Sequence, residues 1–459
     1  MRRSFFIAKA AIAGAAALAL VAAFPAASAG DAHSKSAPAS RPLYMTQAPI
    51  VMLKDLDSGA ILFSRGAEKR FPPASMAKVM TAYIVLDLIE KGELPRDRIV
   101  TVSQATWKKW NGSNGGSTMF LRAGEKISVD ELLKGLITVS ANDAAAALAA
   151  GADDREEGFV KRMNAMASKL GMTSSHFGTP NGWPDGGVTK VSAADLILLA
   201  DRLIREHPRD YARYFSLPKL QHGKSPDGKP IVQPNTNPIL GRIEGVDGLK
   251  TGHTAEAGYC FLGSAKRGGR RLIMVVAGMS SDKARRDEAA RLMTWGFEQW
   301  EGRELVPAGA KIGRIDVGQG NAPAVLAEAA IPVRMTVPRG YTGGYSAVMR
   351  SRSPVSAPIA RGTRVADLIV TPDGLPPQVT PLLAANDVGA GGFGARLRTG
   401  FYRLTGWGAA ASSRSRAAKG SASRPRFARC PPRSPRAGSR SSRPASRAAA
   451  PAPKRSARC

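Results

Sequence analysis

Apolar residues run without a charge between Lys78 and Asp87, and the run resumes to Ile89. Met76, Val79, Met80, Tyr83, Ile84, Val85 and Leu86 fall all round a helical wheel, which predicts a helix of about four turns buried on most sides. Pro72 and Pro73 cannot continue a helix from upstream, so this one is expected to start at or just before Ser75. Ahead of it, the apolar stretches at 48–53 and 59–63 flank Asp57-Ser58-Gly59 and read as a β-hairpin. Residues 129–150 read as two helices joined by a turn, 156–170 as an amphipathic helix, and 176–187 as a Gly/Pro/Asn-rich loop. Ser192 and Asp195 form a capping box in outline at the head of a helix over 191–205. Stretches 248–254, 258–265 and 271–278 read as three strands, and 284–300 as a closing helix. Strands first and last with a mostly helical insert predict an α/β (α+β) domain over residues 44–302, an antiparallel sheet sandwiched by helices. From 303 to 386, β-prone runs at 311–317, 331–337, 345–350 and 365–371 alternate with Pro and Gly turns, predicting a small all-β domain.

Composition changes the picture at the two ends. Residues 1–29 read as a signal peptide: Arg2 and Arg3, an Ala/Leu/Val stretch, then Ala27-Ser28-Ala29 before Gly30, followed by a polar linker over 30–43. Export implies an oxidising compartment, yet the 459 residues include only 3 cysteines, Cys260, Cys430 and Cys459, so no disulfide framework is expected. Cys260 lies in an apolar stretch and is expected to be a buried thiol. The formal net charge is +30, and about half of it lies after residue 389, where no Asp or Glu occurs. Phe393, Leu397, Phe401 and Leu404, with Arg396, Arg398 and Arg403 alongside, suit an amphipathic membrane anchor over 389–408. Residues 409–459, rich in Arg, Ser, Ala and Pro, are expected to be a disordered basic tail. For an exported chain, anionic lipid or wall polymers are the expected partners of that charge, and no nucleic acid is expected.

Three short clusters carry candidate chemistry. Ser75 and Lys78 stand three residues apart and project from one helix face; a buried lysine loses its charge and so becomes a base for the serine hydroxyl. The same pair also fits an N-cap serine followed by a lysine reaching to water. Ser140 and Asn142 sit in a tight loop between two apolar segments, where a hydroxyl can relay a proton and a carboxamide can hold a carbonyl; an ordinary turn would look alike. Lys250, Thr251 and Gly252 lie on a strand. Lys250 and Thr251 suit a terminal carboxylate, Gly252 leaves room for a second backbone, and Lys250 would be the second cation that keeps Lys78 neutral. Read alone, Lys250 is a strand lysine in solvent. No cofactor and no metal are expected: the 5 histidines are scattered, and neither a phosphate loop nor a dinucleotide fingerprint occurs.

Taken in order, S-x-x-K, S-x-N and K-T-G are separated by about 65 and 110 residues, in the pattern of penicillin-binding proteins and class A β-lactamases. Over roughly residues 44–386 the chain resembles a low-molecular-mass penicillin-binding protein, a serine-type D-alanyl-D-alanine carboxypeptidase. Asp57-Ser58-Gly59, the His253-Thr254 pair after K-T-G, and 292–297 share in the resemblance. It implies that Ser75 forms an acyl-enzyme with the penultimate D-Ala of a peptidoglycan stem peptide, that Lys78 is the base, and that Ser140 hands a proton to the leaving amine. Asn142 would orient the substrate amide, Lys250 and Thr251 would grip its carboxylate, and the backbone N–H groups of Ser75 and His253 would form the oxyanion hole. β-Lactam antibiotics would acylate Ser75. The location implied is the periplasm, peripheral on the inner membrane. A D,D-endopeptidase on the same fold stays open, as does a non-catalytic wall-binding module. A β-lactamase is disfavoured, because the loop over 179–187 has no Glu and Asp185 is its only carboxylate.

Overall fold

The computed structural model describes residues 41–392, apart from 113, 114, 154, 352 and 353. The expected signal peptide, most of the linker, the anchor from 393 onward and the basic tail lie outside the described residues.

Strands β1 (Ile50–Asp55) and β2 (Ile61–Arg65) form the expected hairpin. The helix expected from Ser75 begins differently: a 3-10 turn over Ala74–Ala77 carries Ser75, and α1 (Lys78–Glu90) starts at the lysine. Then come β3 (Ile99–Thr101), α2 (Gln104–Trp110), β4 (Lys126–Ser128), α3 (Val129–Thr138), α4 (Asn142–Asp153), α5 (Glu156–Leu170), α6 (Ala193–Glu206) and α7 (Pro208–Tyr214). A hairpin of β5 (Lys219–Lys224) and β6 (Pro230–Pro234) leads to β7 (Val246–Thr254), β8 (Gly258–Arg267), β9 (Arg270–Met279) and α8 (Asp282–Glu298). The Ser192 hydroxyl accepts from the Asp195 N–H, so the capping box forms at the head of α6.

The main sheet has the order β2-β1-β9-β8-β7, antiparallel throughout, which makes β7 an edge strand. Its central strands are buried on both faces. Ile50, Met52, Ile273, Val275 and Ala277 face a core with α1, α3, α4, α5 and α6. Their alternates Val51, Leu53, Leu272, Met274 and Val276 face a second core with Ala289, Leu292 and Met293 of α8. Period-two alternation with both sets buried is the signature of a sheet between two helical layers. Helix α1 runs through the first core, with every residue from Lys78 to Leu86 buried.

The C-terminal strands are β10 (Trp300–Val306), β11 (Lys311–Gly318), β12 (Ala324–Glu328), β13 (Val333–Pro338), β14 (Tyr345–Ser351), β15 (Val355–Ser356), β16 (Arg364–Pro372) and β17 (Gln378–Ala384). Trp300, expected to end the closing helix, instead opens β10, which pairs with β13; the other six form one sheet. A buried polar knot ties these strands to the main sheet. Asp55, fully buried, takes the Arg270 Nε at 2.5 Å and the Thr336 hydroxyl at 2.9 Å. Ser58 Oγ donates to Thr336 Oγ1 at 2.8 Å, and Arg270 Nη1 donates to the Trp300 carbonyl at 2.8 Å. Among the described residues no helix is long and apolar enough to cross a membrane.

Candidate active site

The 3-10 turn presses against the free edge of β7, and glycines make that approach feasible. A Cβ on Gly252 would stand 2.5 Å from the Pro73 carbonyl oxygen, and one on Gly182 would stand 1.9 Å from the Ala74 oxygen. Ala74, just before the serine, holds a left-handed φ of 48°, a conformation that non-glycine residues keep only where the surroundings impose it.

Ser75 is half-buried on this turn, and Lys78 Nζ lies 2.7 Å from its Oγ. The lysine also donates to the Asn181 carbonyl at 3.0 Å and is 1% exposed. Burial holds its amine well below the usual lysine range, and the nearby Lys250 charge pushes it further down. With one hydrogen committed to Asn181, the amine stands against the Ser75 hydroxyl, where its deprotonated form can offer a lone pair to the serine proton. The reading of Lys78 as a lysine reaching to water is therefore set aside.

Ser140 stands between α3 and α4, buried, with φ at 65°. Its hydroxyl has no hydrogen-bond partner among the described residues, and it faces the cavity beside Ser75. Asn142 opens α4; its Nδ2 donates to the Gly115 carbonyl at 2.8 Å, which leaves Oδ1 to accept from a bound amide N–H. Next to it, the buried Asp143 carboxylate takes the N–H groups of Met119 and Leu121, both at 3.1 Å, and so fastens the loop that forms the cavity's outer wall.

Lys250 is 1% exposed, not in solvent, and donates to the Thr251 carbonyl at 3.3 Å. Burial, and then the Arg285 guanidinium, bring its amine from 10.5 down to about 7. Thr251 Oγ1 donates to Thr236 Oγ1 at 3.2 Å. His253 places its backbone at the rim of the cleft, while its exposed ring stacks on Tyr259 at 3.9 Å.

Ser75, Ser140, Asn142, Thr251, Gly252 and His253 thus line one cavity of about 430 Å³, and Lys78 reaches it through the Ser75 hydroxyl. Sequence reasoning missed Asn181, Thr236 and Arg285, which line it too. Asn181 stood in a Pro-Asn-Gly loop already marked as irregular, but nothing in the sequence singled out Thr236 or Arg285. No carboxylate lines the cavity among the described residues. Asp185 is turned away, accepting from Thr189 N–H at 3.0 Å and from Thr189 Oγ1 at 2.5 Å.

The same picture emerges from comparison with known proteins. A family model described as D-alanyl-D-alanine carboxypeptidase matches residues 34–281, and one described as penicillin-binding protein 5, C-terminal domain, matches 300–390. The D-alanyl-D-alanine carboxypeptidase DacC of Escherichia coli is 34% identical over 349 residues, covering 75% of this chain and 85% of that protein. DacF of Bacillus subtilis, another D-alanyl-D-alanine carboxypeptidase, is 30% identical over 354 residues, 76% of this chain and 87% of that one. Among solved structures, penicillin-binding protein 5 of Haemophilus influenzae superposes with a TM-score of 0.63 at 32% identity, over 76% of this chain and 99% of that chain. With the matched span taking in all three motifs, the chain belongs to the D-alanyl-D-alanine carboxypeptidase family.

Proposed function

We propose that this protein removes the terminal D-alanine from peptidoglycan stem pentapeptides through an ester on Ser75. The observation that carries the reading is the 2.7 Å contact between Ser75 Oγ and a lysine amine that burial, and then a second lysine, hold well below the usual lysine range. The substrate lies along the free edge of β7 as an added strand, with its carboxylate toward Lys250 and Thr251 and its amide N–H on Asn142. Ser75 Oγ attacks the penultimate carbonyl as Lys78 takes its proton. The backbone N–H groups of Ser75 and His253 receive the developing oxyanion, each worth roughly 10²–10³ in rate. Ser140 passes the proton on to the departing amine, the C–N bond breaks, and water then hydrolyses the ester.

A β-lactam presents a strained amide and a carboxylate in the same relation, so it acylates Ser75. With no carboxylate lining the cavity to activate water, the penicilloyl ester persists, which favours inhibition over turnover. Periplasmic location and peripheral membrane docking rest on the sequence pattern of residues 1–29 and 389–408.

The test is acylation by a fluorescent penicillin, with mass spectrometry of stem peptides after incubation. The wild type takes a stable label and shortens the pentapeptide by one alanine, whereas Ser75→Ala does neither. A Ser75→Ala protein that still labels would overturn the assignment.

A further inference from the structure

The carboxylate end of the cleft leans on a segment outside the three motifs. Thr251 is buried, and its hydroxyl meets Thr236 Oγ1 at 3.2 Å, its one hydrogen-bond partner among the described residues. Thr236 belongs to the link between β6 and β7 and lines the cleft with Thr251. That link is fastened on three sides. Thr236 N–H donates to the carbonyl of Thr138, the last residue of α3, at 3.0 Å. Asn235 Nδ2 donates to the Leu217 carbonyl at 2.7 Å, just beyond α7, and Asn237 Nδ2 donates to the Gly248 carbonyl of β7 at 3.0 Å. The two asparagine oxygens close local turns, taking the N–H groups of Asn237 at 2.8 Å and Ile239 at 3.1 Å. The Thr236 hydroxyl is therefore presented to Thr251 from a backbone that both of its neighbours hold.

A hydroxyl has one proton to give and two lone pairs to offer, and the proton swings to suit its surroundings. In this structure Thr251 gives its proton to Thr236. A carboxylate only accepts, so Thr251 can serve one only with that same proton. Thr236 has a proton of its own and can return the donation. The bonds then run in one direction, from Thr236 to Thr251 to the carboxylate, and each donation strengthens the next. Lys250, beside Thr251 on β7, and Arg285, which lines the cleft, bring positive charge to this end. Charge draws a carboxylate in from any angle, whereas a hydrogen bond of set direction fixes where one of its oxygens sits.

We infer that Thr236 is a positioning residue for the substrate's carboxylate: it turns the Thr251 proton toward a terminal carboxylate and so favours a free D-alanine terminus over a capped one. The inference rests on the carboxypeptidase reading. Thr236 touches no reacting atom and acts through Thr251. A valine at 236 keeps the branched shape and removes the hydroxyl. Thr251 then loses both the donation that polarises it and the contact that holds its side chain, so its proton must be ordered when the substrate binds. A serine at 236 keeps the hydroxyl and with it the chain of donation. An amide in place of the terminal carboxylate carries no charge to strengthen that chain, so it gains little from Thr236.

The test sets the full-chain wild type beside Thr236→Val and Thr236→Ser on a peptide ending in D-Ala-D-Ala and on the same peptide with its terminal carboxylate amidated. Expected for Thr236→Val on the free acid is a KM raised about tenfold, the net worth of one hydrogen bond, with kcat within about twofold of wild type. On the amide the two proteins agree within about twofold, so the preference for acid over amide shrinks about tenfold in the valine variant. Thr236→Ser restores KM to within about threefold of wild type. A Thr236→Val protein that keeps the wild-type KM on the acid, or loses kcat in place of KM, overturns the inference. So does an equal loss on acid and amide, or a serine variant that falls as far as the valine one. In each of these cases the wild type still shortens the acid peptide, and the carboxypeptidase reading stands. A wild type that shortens neither peptide removes that reading and this inference with it.

Discussion

Gly252→Ala probes the approach between strand β7 and the turn that carries Ser75, the proposed nucleophile. A Cβ at this position would meet the Pro73 oxygen at 2.5 Å, the Ala74 Cβ at 3.1 Å and the Ser75 nitrogen at 3.3 Å. These are backbone atoms or a first side-chain carbon, so none can swing aside. Restoring an ordinary contact near 3.4 Å to the Pro73 oxygen requires strand and turn to part by about 0.9 Å. The two proposed oxyanion donors, the N–H groups of Ser75 and His253, stand on opposite sides of that gap. A displacement of about 1 Å at a reacting centre costs on the order of 10²-fold in rate, or about 2.7 kcal/mol. The expected result is a roughly 100-fold lower second-order rate constant for acylation by a fluorescent penicillin. Overpacking is expected to cost about 1–3 kcal/mol of stability, read in urea. Gly302→Ala is the control, because its nearest neighbour would be the Arg270 Cδ at 3.7 Å. Acylation of Gly252→Ala within about threefold of wild type, or an equal loss in the control, would refute the reasoning.

Two further outcomes follow from buried charge. Lys250 has its amine lowered from 10.5 to about 7, so between those values the unfolded chain binds the extra proton. Stability therefore rises with pH through that window, by up to about 1.4 kcal/mol per unit for this lysine, and is lost again as pH falls toward 7. Lys250→Met should flatten the slope measured by urea unfolding between pH 7.5 and 9.5 (Lys78, shifted the same way, retains its share); an unaltered slope would count against the burial of this charge. Asp55→Ala leaves the Arg270 guanidinium buried without its carboxylate and removes the acceptor of the Thr336 hydroxyl. The expected cost is about 3–5 kcal/mol, and a loss below about 1 kcal/mol would show that the knot between the main sheet and the C-terminal strands does not hold them.

Much of this protein was legible from the order of its residues, because the relevant patterns are local. The uncharged run from Val79 to Leu86, apolar all round the helical wheel, reads as an interior helix, and α1 spans it. Ser75 and Lys78 are brought together by helical spacing, and Ser140 and Asn142 by a single turn. Alternation in β1 and β9 fixed which residues face which core. Long-range packing decided the rest. Ser75 rides on a 3-10 turn and not on α1, because Gly252 and Gly182 let β7 and the 179–184 loop close on its backbone. The left-handed φ angles at Ala74, Phe120 and Ser140 carry no glycine to announce them. Arg285, 35 residues beyond Lys250, became part of the site only because α8 crosses the same sheet. The charge state of the two lysines is a property of burial, and burial depends on the whole fold. Spacing along the chain placed Ser75 within reach of Lys78, and only the packed sheet and helices brought Lys250 near and removed the water that would have kept both amines charged.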